Sequence, residues 1–167
     1  MKPEYVVLVN EKDQEIGTME KLQAHQEGKL HRAVSVIVFN SQKQMLLQKR
    51  ADGKYHSGGL WSNTCCSHPR PGEDTLEAAK RRLYEEMGIR CELQKMFEFS
   101  YDLKLDKNLH EHEFDHVYAG ISNDIPLPDP GEVSEWRYAD AAQIKKEIKE
   151  DPSRFTEWFV LMMDRLN

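Results

Sequence analysis

The stretch that decides the fold runs from residue 66 to residue 89 and reads CSHPRPGEDTLEAAKRRLYEEMGI. Apolar residues recur within it at helical spacing, which predicts an amphipathic helix over 73–87. This apolar stripe consists of Leu76, Ala79, Leu83 and Met87. Asp74, with Glu77 three residues later, is typical of a capping box at the start of the helix. Gly88 is typical of a helix end.

Segments on both sides of this helix have the composition of strands. A hairpin is predicted at 5–10 and 15–18, and further strands at 33–39, 45–49, 96–105, 113–121 and 133–138. The segment 21–28 is polar and is interpreted as a loop or short turn, and 60–66 as extended. Two more helices are predicted, one capped by Asp140 and one over about 155–166. This order of elements favours an α+β fold with one mixed sheet flanked by helices.

Composition narrows the class of protein. The chain has 167 residues, which indicates a single domain over 1–167. A formal net charge of −6 argues against a nucleic-acid-binding surface. The sequence contains neither an apolar run long enough to span a membrane nor a signal peptide, so a cytoplasmic location is expected. Its three cysteines do not suggest a disulfide framework. Cys65 and Cys66 are adjacent in an extended segment, so one is expected in the core and the other in a site.

Five side chains suggest a metal site. Glu111 and Glu113 lie two apart in a predicted strand and so project from one face. Taken alone, they also fit a solvated acidic face. His25, His31 and His68 lie in predicted loops or at strand ends. Three imidazoles and two carboxylates suit a borderline divalent cation such as Mn²⁺, Zn²⁺ or Fe²⁺.

The central helix carries a second candidate site. Arg82 and Glu86 are four residues apart and share a helix face. One interpretation is a surface ion pair of little energetic consequence. The other is that Glu86 binds Mg²⁺ together with phosphate oxygens, and that Arg82 pairs with the same phosphate.

The pattern Glu73, Arg81, Leu83, Glu85-Glu86 and Gly88-Ile89 resembles the Nudix box. Two positions depart from that box: Ser67 stands where it usually opens with glycine, and Arg82 where it usually has glutamate. Losing a carboxylate and gaining a guanidinium weakens the case for metal-dependent hydrolysis. With these two departures, the motif resembles that of the type 1 isopentenyl-diphosphate isomerases, a branch of the Nudix superfamily. The resemblance implies a Nudix-type α/β/α sandwich.

This resemblance extends over almost the whole chain. The segments that carry it are Glu20-Lys21 with Ala24-His25, Leu30 to Ala33, Lys49-Arg50-Ala51 with Lys54, Gly59 to Thr64, Cys66 with His68-Pro69, His110 to His116, and Phe155 to Trp158. Each segment alone is weak, but the combination is specific. The implied activity is the interconversion of isopentenyl and dimethylallyl diphosphate by protonation at C4 and deprotonation at C2.

The resemblance also implies roles for individual residues. Glu113, assisted by Tyr101, is interpreted as the protonating side and Cys66 as the base, although the sequence leaves the opposite assignment open. Trp158 is expected to face the carbocation-like intermediate. The alternatives are an inert buried thiol at Cys66, a surface aromatic at Tyr101 and core packing at Trp158.

The implied ligands are a small allylic or homoallylic diphosphate and two cations. The diphosphate is expected to contact Lys21, Arg50, Lys54 and Arg82. Mg²⁺ is expected with the diphosphate at Glu86, and Mn²⁺ or Zn²⁺ at the inner site of His25, His31, His68, Glu111 and Glu113. Partners are limited to that small molecule, with no nucleic acid and no membrane, and the protein is expected to be a monomer or weak dimer.

Three alternative functions remain open at this point. A Nudix hydrolase of another diphosphate is the principal alternative, but it leaves Cys66 and Glu113 without a role. A non-catalytic binding module is expected to lack the acid or the base, and neither is missing. A structural zinc site using Cys65, Cys66 and Cys91 has poor ligand spacing.

Overall fold

The computed structural model describes residues 3–166. The elements in chain order are β1 (Tyr5–Val9), β2 (Glu15–Glu20), α1 (Lys21–Glu27), β3 (His31–Phe39), β4 (Met45–Arg50), β5 (Trp61–Ser62), β6 (Cys65–Ser67), α2 (Thr75–Met87), β7 (Leu93–Lys104), β8 (His110–Ile121), β9 (Val133–Ala139), α3 (Ala141–Glu150) and α4 (Glu157–Arg165). Short 3₁₀ turns lie at Asp106–Asn108 and Pro152–Arg154. No helix in this part of the chain combines the length and apolar content needed to cross a bilayer.

Helix α2 is stabilised at both ends as its sequence predicts. The Asp74 carboxylate accepts hydrogen bonds from the backbone N–H groups of Leu76 and Glu77, at 3.0 and 3.3 Å. Gly88 ends the helix at φ 67°, in the left-handed region that favours glycine. The Asp74 cap fixes the start of the helix at Thr75, nine residues after Cys66, and so limits the loop that holds His68.

The sheet is mixed, as expected, and β3 is its central strand. β3 pairs in parallel with β8 over its full length, with His31 opposite Glu113. The remaining strand pairs described by the structure are antiparallel. Because a strand has only two edges, the other edge of β3 is shared by β1, β6 and β4. This arrangement brings β6 and β8 to opposite sides of β3, at the end where the candidate site lies.

Helices cover both faces of the sheet, which gives the α/β/α arrangement. On one face Val34, Val36 and Val38 of β3 share a core cluster with Leu83 of α2. On the other face Ile37 belongs to a cluster that includes Phe159 of α4. β3 is therefore buried on both faces, which explains its nearly continuous run of β-branched residues. The predicted α+β fold is confirmed.

Two local predictions are wrong. Residues 21–27 form helix α1 and not a loop; the Glu20 carboxylate accepts from the N–H groups of Leu22 and Gln23, and Gly28 ends the helix at φ 68°. The helix buries only Ala24 and His25, so it has no apolar stripe to reveal it. At α3, Asp140 precedes the helix but makes no side-chain cap hydrogen bond, so the expected capping box does not form.

Candidate active site

The five predicted metal ligands converge. His25 comes from α1, His31 from the start of β3, His68 from the loop after β6, and Glu111 and Glu113 from one face of β8. One ligand atom from each residue lies within 4.8 Å of the others. All of them except His68 are buried, and His68 is partly buried. The cluster exists because parallel pairing places His31 beside Glu113, and because α1 and the β6 loop close over the same end of the sheet.

Hydrogen bonds to backbone carbonyls orient His25 and His31 so that their other ring nitrogens can bind a cation. His25 Nδ1 lies 2.7 Å from the Lys21 carbonyl, and His31 Nδ1 lies 2.8 Å from the Lys29 carbonyl. A carbonyl can only accept, so both Nδ1 atoms carry hydrogen, and a neutral ring then has a lone pair at Nε2. Those Nε2 atoms lie 2.9 Å from Glu111 Oε1 and 3.0 Å from Glu113 Oε2. Such contacts are attractive only when a proton or a cation lies between the two atoms.

Burial and neighbouring charge separate the two glutamates. Burial, with the negative charge of Glu113, raises the pKa of Glu111 to about 8. Burial also opposes ionisation of Glu113, but hydrogen bonds with His31 and His68 outweigh it and hold the pKa of Glu113 well below its usual range. Burial lowers the pKa of His68 to about 3. Burial and neighbouring charge therefore favour the protonated form of Glu111, whereas the hydrogen bonds from the histidines favour the ionised form of Glu113.

Cys65 and Cys66 point in opposite directions, as predicted. Cys65 belongs to the core beside α2, whereas Cys66 lines a cleft of about 530 Å³ on the other face. The Cys66 sulfur lies 2.8 Å from Asn63 Oδ1 and accepts from Trp158 Nε1 at 3.2 Å. Burial, together with the charge of Asp115, raises the pKa of Cys66 to about 12. The sulfur therefore holds its proton in this state.

Tyr101 connects Glu113 to a buried polar group behind it. The Tyr101 hydroxyl donates to Glu113 Oε1 at 2.7 Å and also lies 3.1 Å from Asp115 Oδ2. Ser35 Oγ donates to the same Asp115 oxygen at 2.6 Å and lies 3.7 Å from the Cys66 sulfur. Burial and the charge of Glu113 raise the pKa of Asp115 to about 7. These contacts link the two proposed catalytic groups through the protein interior.

The four predicted diphosphate contacts all line the same cleft as Cys66, Glu111 and Glu113. Three of them have carboxylate partners here: Lys21 with Glu4 at 2.6 Å, Lys54 with Glu132, and Arg82 with Glu86 at 2.6 Å. Arg50 differs, since it forms no salt bridge within residues 3–166. Its Nη2 donates to the His56 carbonyl at 3.1 Å, and its Nε has no partner. We call the part of the cleft lined by Lys21, Arg50, Lys54 and Arg82 its cationic end, because these four side chains can bind a phosphate group.

The Trp158 side chain contacts both Arg50 of the cationic end and Cys66. It is 3% exposed and lines the cleft, with its ring 5.3 Å from the Arg50 guanidinium. His25, His31 and Tyr101 do not line the cleft and lie behind Glu111 and Glu113. Glu73 and Arg81 of the Nudix-like pattern form a bidentate pair at 2.8 Å, which braces the loop before α2.

Sequence reasoning missed three residues at this site: Asp115, Glu132 and His56. Asp115 continues the alternation of Glu111 and Glu113 on one strand face, so the period-two pattern contained the signal. Glu132 and His56 lie in loops with no periodic pattern. Burial, with the positive charge of Arg50, lowers the pKa of His56 to about 2, so this imidazole is neutral.

Comparisons with known proteins identify the family of this chain. A family model described as the NUDIX domain matches residues 29–159. A crystal structure from Deinococcus radiodurans has a TM-score of 0.83 at 20% identity, covering 97% of this chain and 98% of that chain. A Nudix hydrolase from M. smegmatis has a TM-score of 0.59 at 16% identity, covering 97% and 91%. At these identities the likeness shows the fold alone. The chain belongs to the Nudix family.

Curated relatives define the branch of that family. The isopentenyl-diphosphate Delta-isomerase of Pectobacterium atrosepticum is 56% identical over 161 residues, covering 96% of this chain and 90% of the relative. Isopentenyl-diphosphate Delta-isomerase 2 of Aromatoleum aromaticum is 48% identical, covering 96% and 85%. Within the Nudix family, the chain belongs to the isopentenyl-diphosphate Delta-isomerases.

Proposed function

We propose that this protein is an isomerase that interconverts isopentenyl diphosphate and dimethylallyl diphosphate by moving protons on and off the alkene. One observation carries the proposal: a thiol, Cys66, and a carboxylate, Glu113, line one cleft that has a cationic end. The cationic end suits a diphosphate, and the opposite end offers an acid and a base to a five-carbon chain. Holding the diphosphate orients the small hydrocarbon by remote binding energy.

Cys66 and Glu113 together hold one proton, which suits a reversible reaction. The high pKa of Cys66 keeps the proton on sulfur, and Glu113 is a carboxylate. From this state Cys66 gives its proton to C2 of dimethylallyl diphosphate, and Glu113, assisted by Tyr101, takes one from C4. The reverse reaction starts with the proton on Glu113: C4 of isopentenyl diphosphate gains it, the alkene becomes a tertiary cation, and the Cys66 thiolate removes a proton from C2. Each direction conserves one proton on the pair.

The intermediate carries positive charge, so water must be kept away from it. Trp158 presents an aromatic ring to the cleft beside Cys66, and a cation facing such a ring gains about 2 kcal/mol when desolvated. The low exposure of this ring also removes space for water near the sulfur. These two effects favour proton transfer over capture of the cation by solvent.

Two divalent cations fit the donor atoms of the site. Mn²⁺ or Zn²⁺ would be held by His25, His31, His68, Glu111 and Glu113, and Mg²⁺ with the diphosphate by Glu86. When bound, such cations supply positive charge that holds the carboxylates and neutralises the diphosphate. Arg82 supports isomerisation over hydrolysis, since a guanidinium lies where a hydrolase of this family would place another carboxylate. We further propose one domain over 1–167, a monomer or weak dimer, a cytoplasmic location, and neither nucleic acid nor membrane as partner.

Proton exchange tests the function directly. The protein is incubated with isopentenyl diphosphate in D₂O, with Mg²⁺ and Mn²⁺ or with a chelator, and NMR follows product and deuterium. We expect dimethylallyl diphosphate carrying deuterium, and loss of the reaction with chelator. Cys66→Ala should slow turnover by about 10²- to 10⁴-fold. The matched control Cys65→Ala, which removes the adjacent thiol from the core, should keep turnover. Absence of exchange, with phosphate released from a nucleoside diphosphate derivative, would instead establish a hydrolase.

A further inference from the structure

His56 is a buried imidazole that none of the roles above uses. It lies in the loop between β4 and β5, is 2% exposed, and lines the cleft. Its Nε2 atom lies 2.6 Å from Glu111 Oε1, yet the angle of approach leaves that nitrogen without a hydrogen-bond partner. An unpartnered buried nitrogen is costly, so its place beside a metal-ligand candidate calls for a function.

The surroundings of His56 fix which nitrogen carries hydrogen. Its Nδ1 atom lies 3.1 Å from the Ser57 hydroxyl, which can donate to a ring nitrogen that lacks hydrogen. Its Nε2 atom faces an oxygen of Glu111, and a carboxylate that binds a cation can only accept a hydrogen bond. The neutral ring then carries its hydrogen on Nε2, the atom that faces Glu111. A small rotation of the ring or the carboxylate turns this close contact into a hydrogen bond.

Two ring contacts and one backbone contact hold His56 in place. The His56 ring meets the Trp158 ring edge-on, at 5.6 Å and 90°, and the Tyr55 ring at 4.4 Å and 77°. The His56 carbonyl accepts from Arg50 Nη2. His56 therefore contacts Arg50 at the cationic end of the cleft, the rings of Trp158 and Tyr55, and the Glu111 carboxylate of the inner metal site.

His56 does not belong to the group of ligand atoms that lie within 4.8 Å of one another. It thus contacts one ligand, Glu111, and is not itself one of the five clustered ligands. Hydrogen bonds of this kind orient a ligating carboxylate and restrict its motion, and losing one typically weakens metal affinity by about 10- to 100-fold.

We propose that His56 is a positioning residue for the inner metal site, donating its Nε2 hydrogen to Glu111 and holding that carboxylate toward the cation. This inference rests on the metal site of the proposed function, but not on the isomerase reaction itself. It assigns a role to a side chain that is separate from the five ligands.

Metal affinity of two His56 variants tests the proposal. His56→Phe keeps a ring against Trp158 and Tyr55 but removes the donor. His56→Gln restores an N–H donor at a similar reach. Mn²⁺ and Zn²⁺ are titrated separately into metal-free protein by competition calorimetry, and circular dichroism checks folding. We expect His56→Phe to bind about 10- to 100-fold more weakly than the unmodified protein, and His56→Gln to recover most of that loss.

A matched control uses the same strand as the ligands. His112 lies between Glu111 and Glu113 on the opposite face of β8, where its Nδ1 contacts the Gly28 carbonyl. His112→Gln should leave metal affinity unchanged. Wild-type affinity in a folded His56→Phe protein would overturn the proposal. If His56→Phe does not fold, the result for His56→Gln decides the question. A folded His56→Gln protein that binds the metal about 100-fold more weakly than wild type would also overturn the proposal, because this variant keeps an N–H donor. Because the readout is metal binding, a failed isomerase assay leaves this result interpretable, and the reverse also holds.

Discussion

Arg50 and Arg82 both face the cleft, yet replacing each with methionine should affect stability differently. Arg82 Nη2 lies 2.6 Å from Glu86, whose side chain is only 4% exposed. Removing one partner of a buried ion pair costs about 3–5 kcal/mol, since the remaining charge stays uncompensated. Glu86 keeps a hydrogen bond from Gln48 at 3.0 Å. We therefore expect Arg82→Met to lose about 3 kcal/mol of unfolding free energy.

Arg50 leaves no carboxylate behind when it is removed. Its guanidinium is desolvated at a cost of several kcal/mol. Against this stand a contact with the Trp158 ring of about 2 kcal/mol and a carbonyl hydrogen bond of about 1.5–3 kcal/mol. These contributions nearly cancel, so Arg50→Met should change the free energy of unfolding by about 1 kcal/mol or less. In the proposed function, the diphosphate would compensate this charge.

Two measurements separate the arginines. Urea unfolding with chelator and without substrate gives the stabilities, and calorimetry with inorganic diphosphate and Mg²⁺ gives the affinities. Both variants should bind diphosphate about 10- to 100-fold more weakly, because each loses a charge-assisted hydrogen bond. The reasoning fails if Arg50→Met is as destabilised as Arg82→Met while its diphosphate affinity is unchanged.

Three further predictions concern the support of the site and fold. Asp115→Asn should lower kcat about tenfold, the effect of one lost hydrogen bond, with unchanged KM; steady-state kinetics that shift KM alone would contradict it. Hydrogen bonds from Arg137 lower the pKa of Glu147 from its ordinary 4.5, so its stabilisation is full above pH 4.5 and is lost as pH falls through the lower folded-state pKa. Glu147→Gln should thus be less stable by about 1–2 kcal/mol at pH 7 but equal to wild type in acid; urea unfolding with a pH-independent difference would be inconsistent. Leu83→Ala, at a fully buried position of α2, should cost about 2–5 kcal/mol in the same assay, and a loss below 1 kcal/mol would count against this core.

Local signals in the sequence predict local structure here. The stripe, cap and terminal glycine of α2 all lie within one segment, and the helix forms at that place. The segment 21–28 gave no such signal, because α1 is short and is capped by a glutamate rather than serine, threonine or aspartate. Tertiary contacts of Ala24 and His25, and not helical periodicity, hold that helix.

The candidate site was predicted from residue types and resemblance, and its geometry depends on distant pairings. His31 and Glu113 are 82 positions apart, and a one-residue slip of β3 against β8 would turn Glu113 away from His31. The alternation along β8 extends to Asp115, so a complete period-two reading of that strand would have included it. His56 had no such signal, because its loop is rich in glycine and its ring packs against Trp158, which is far away in the sequence.

The parallel pairing of β3 with β8 has a consequence for biosynthesis. During translation, the three histidines leave the ribosome well before β8, the strand that carries both glutamates. Until β8 has been made, the edge of β3 that pairs with it has no partner strand. Contacts so far apart in sequence form late in folding. We therefore expect the cation to bind a nearly folded protein and to stabilise it, and not to nucleate the fold.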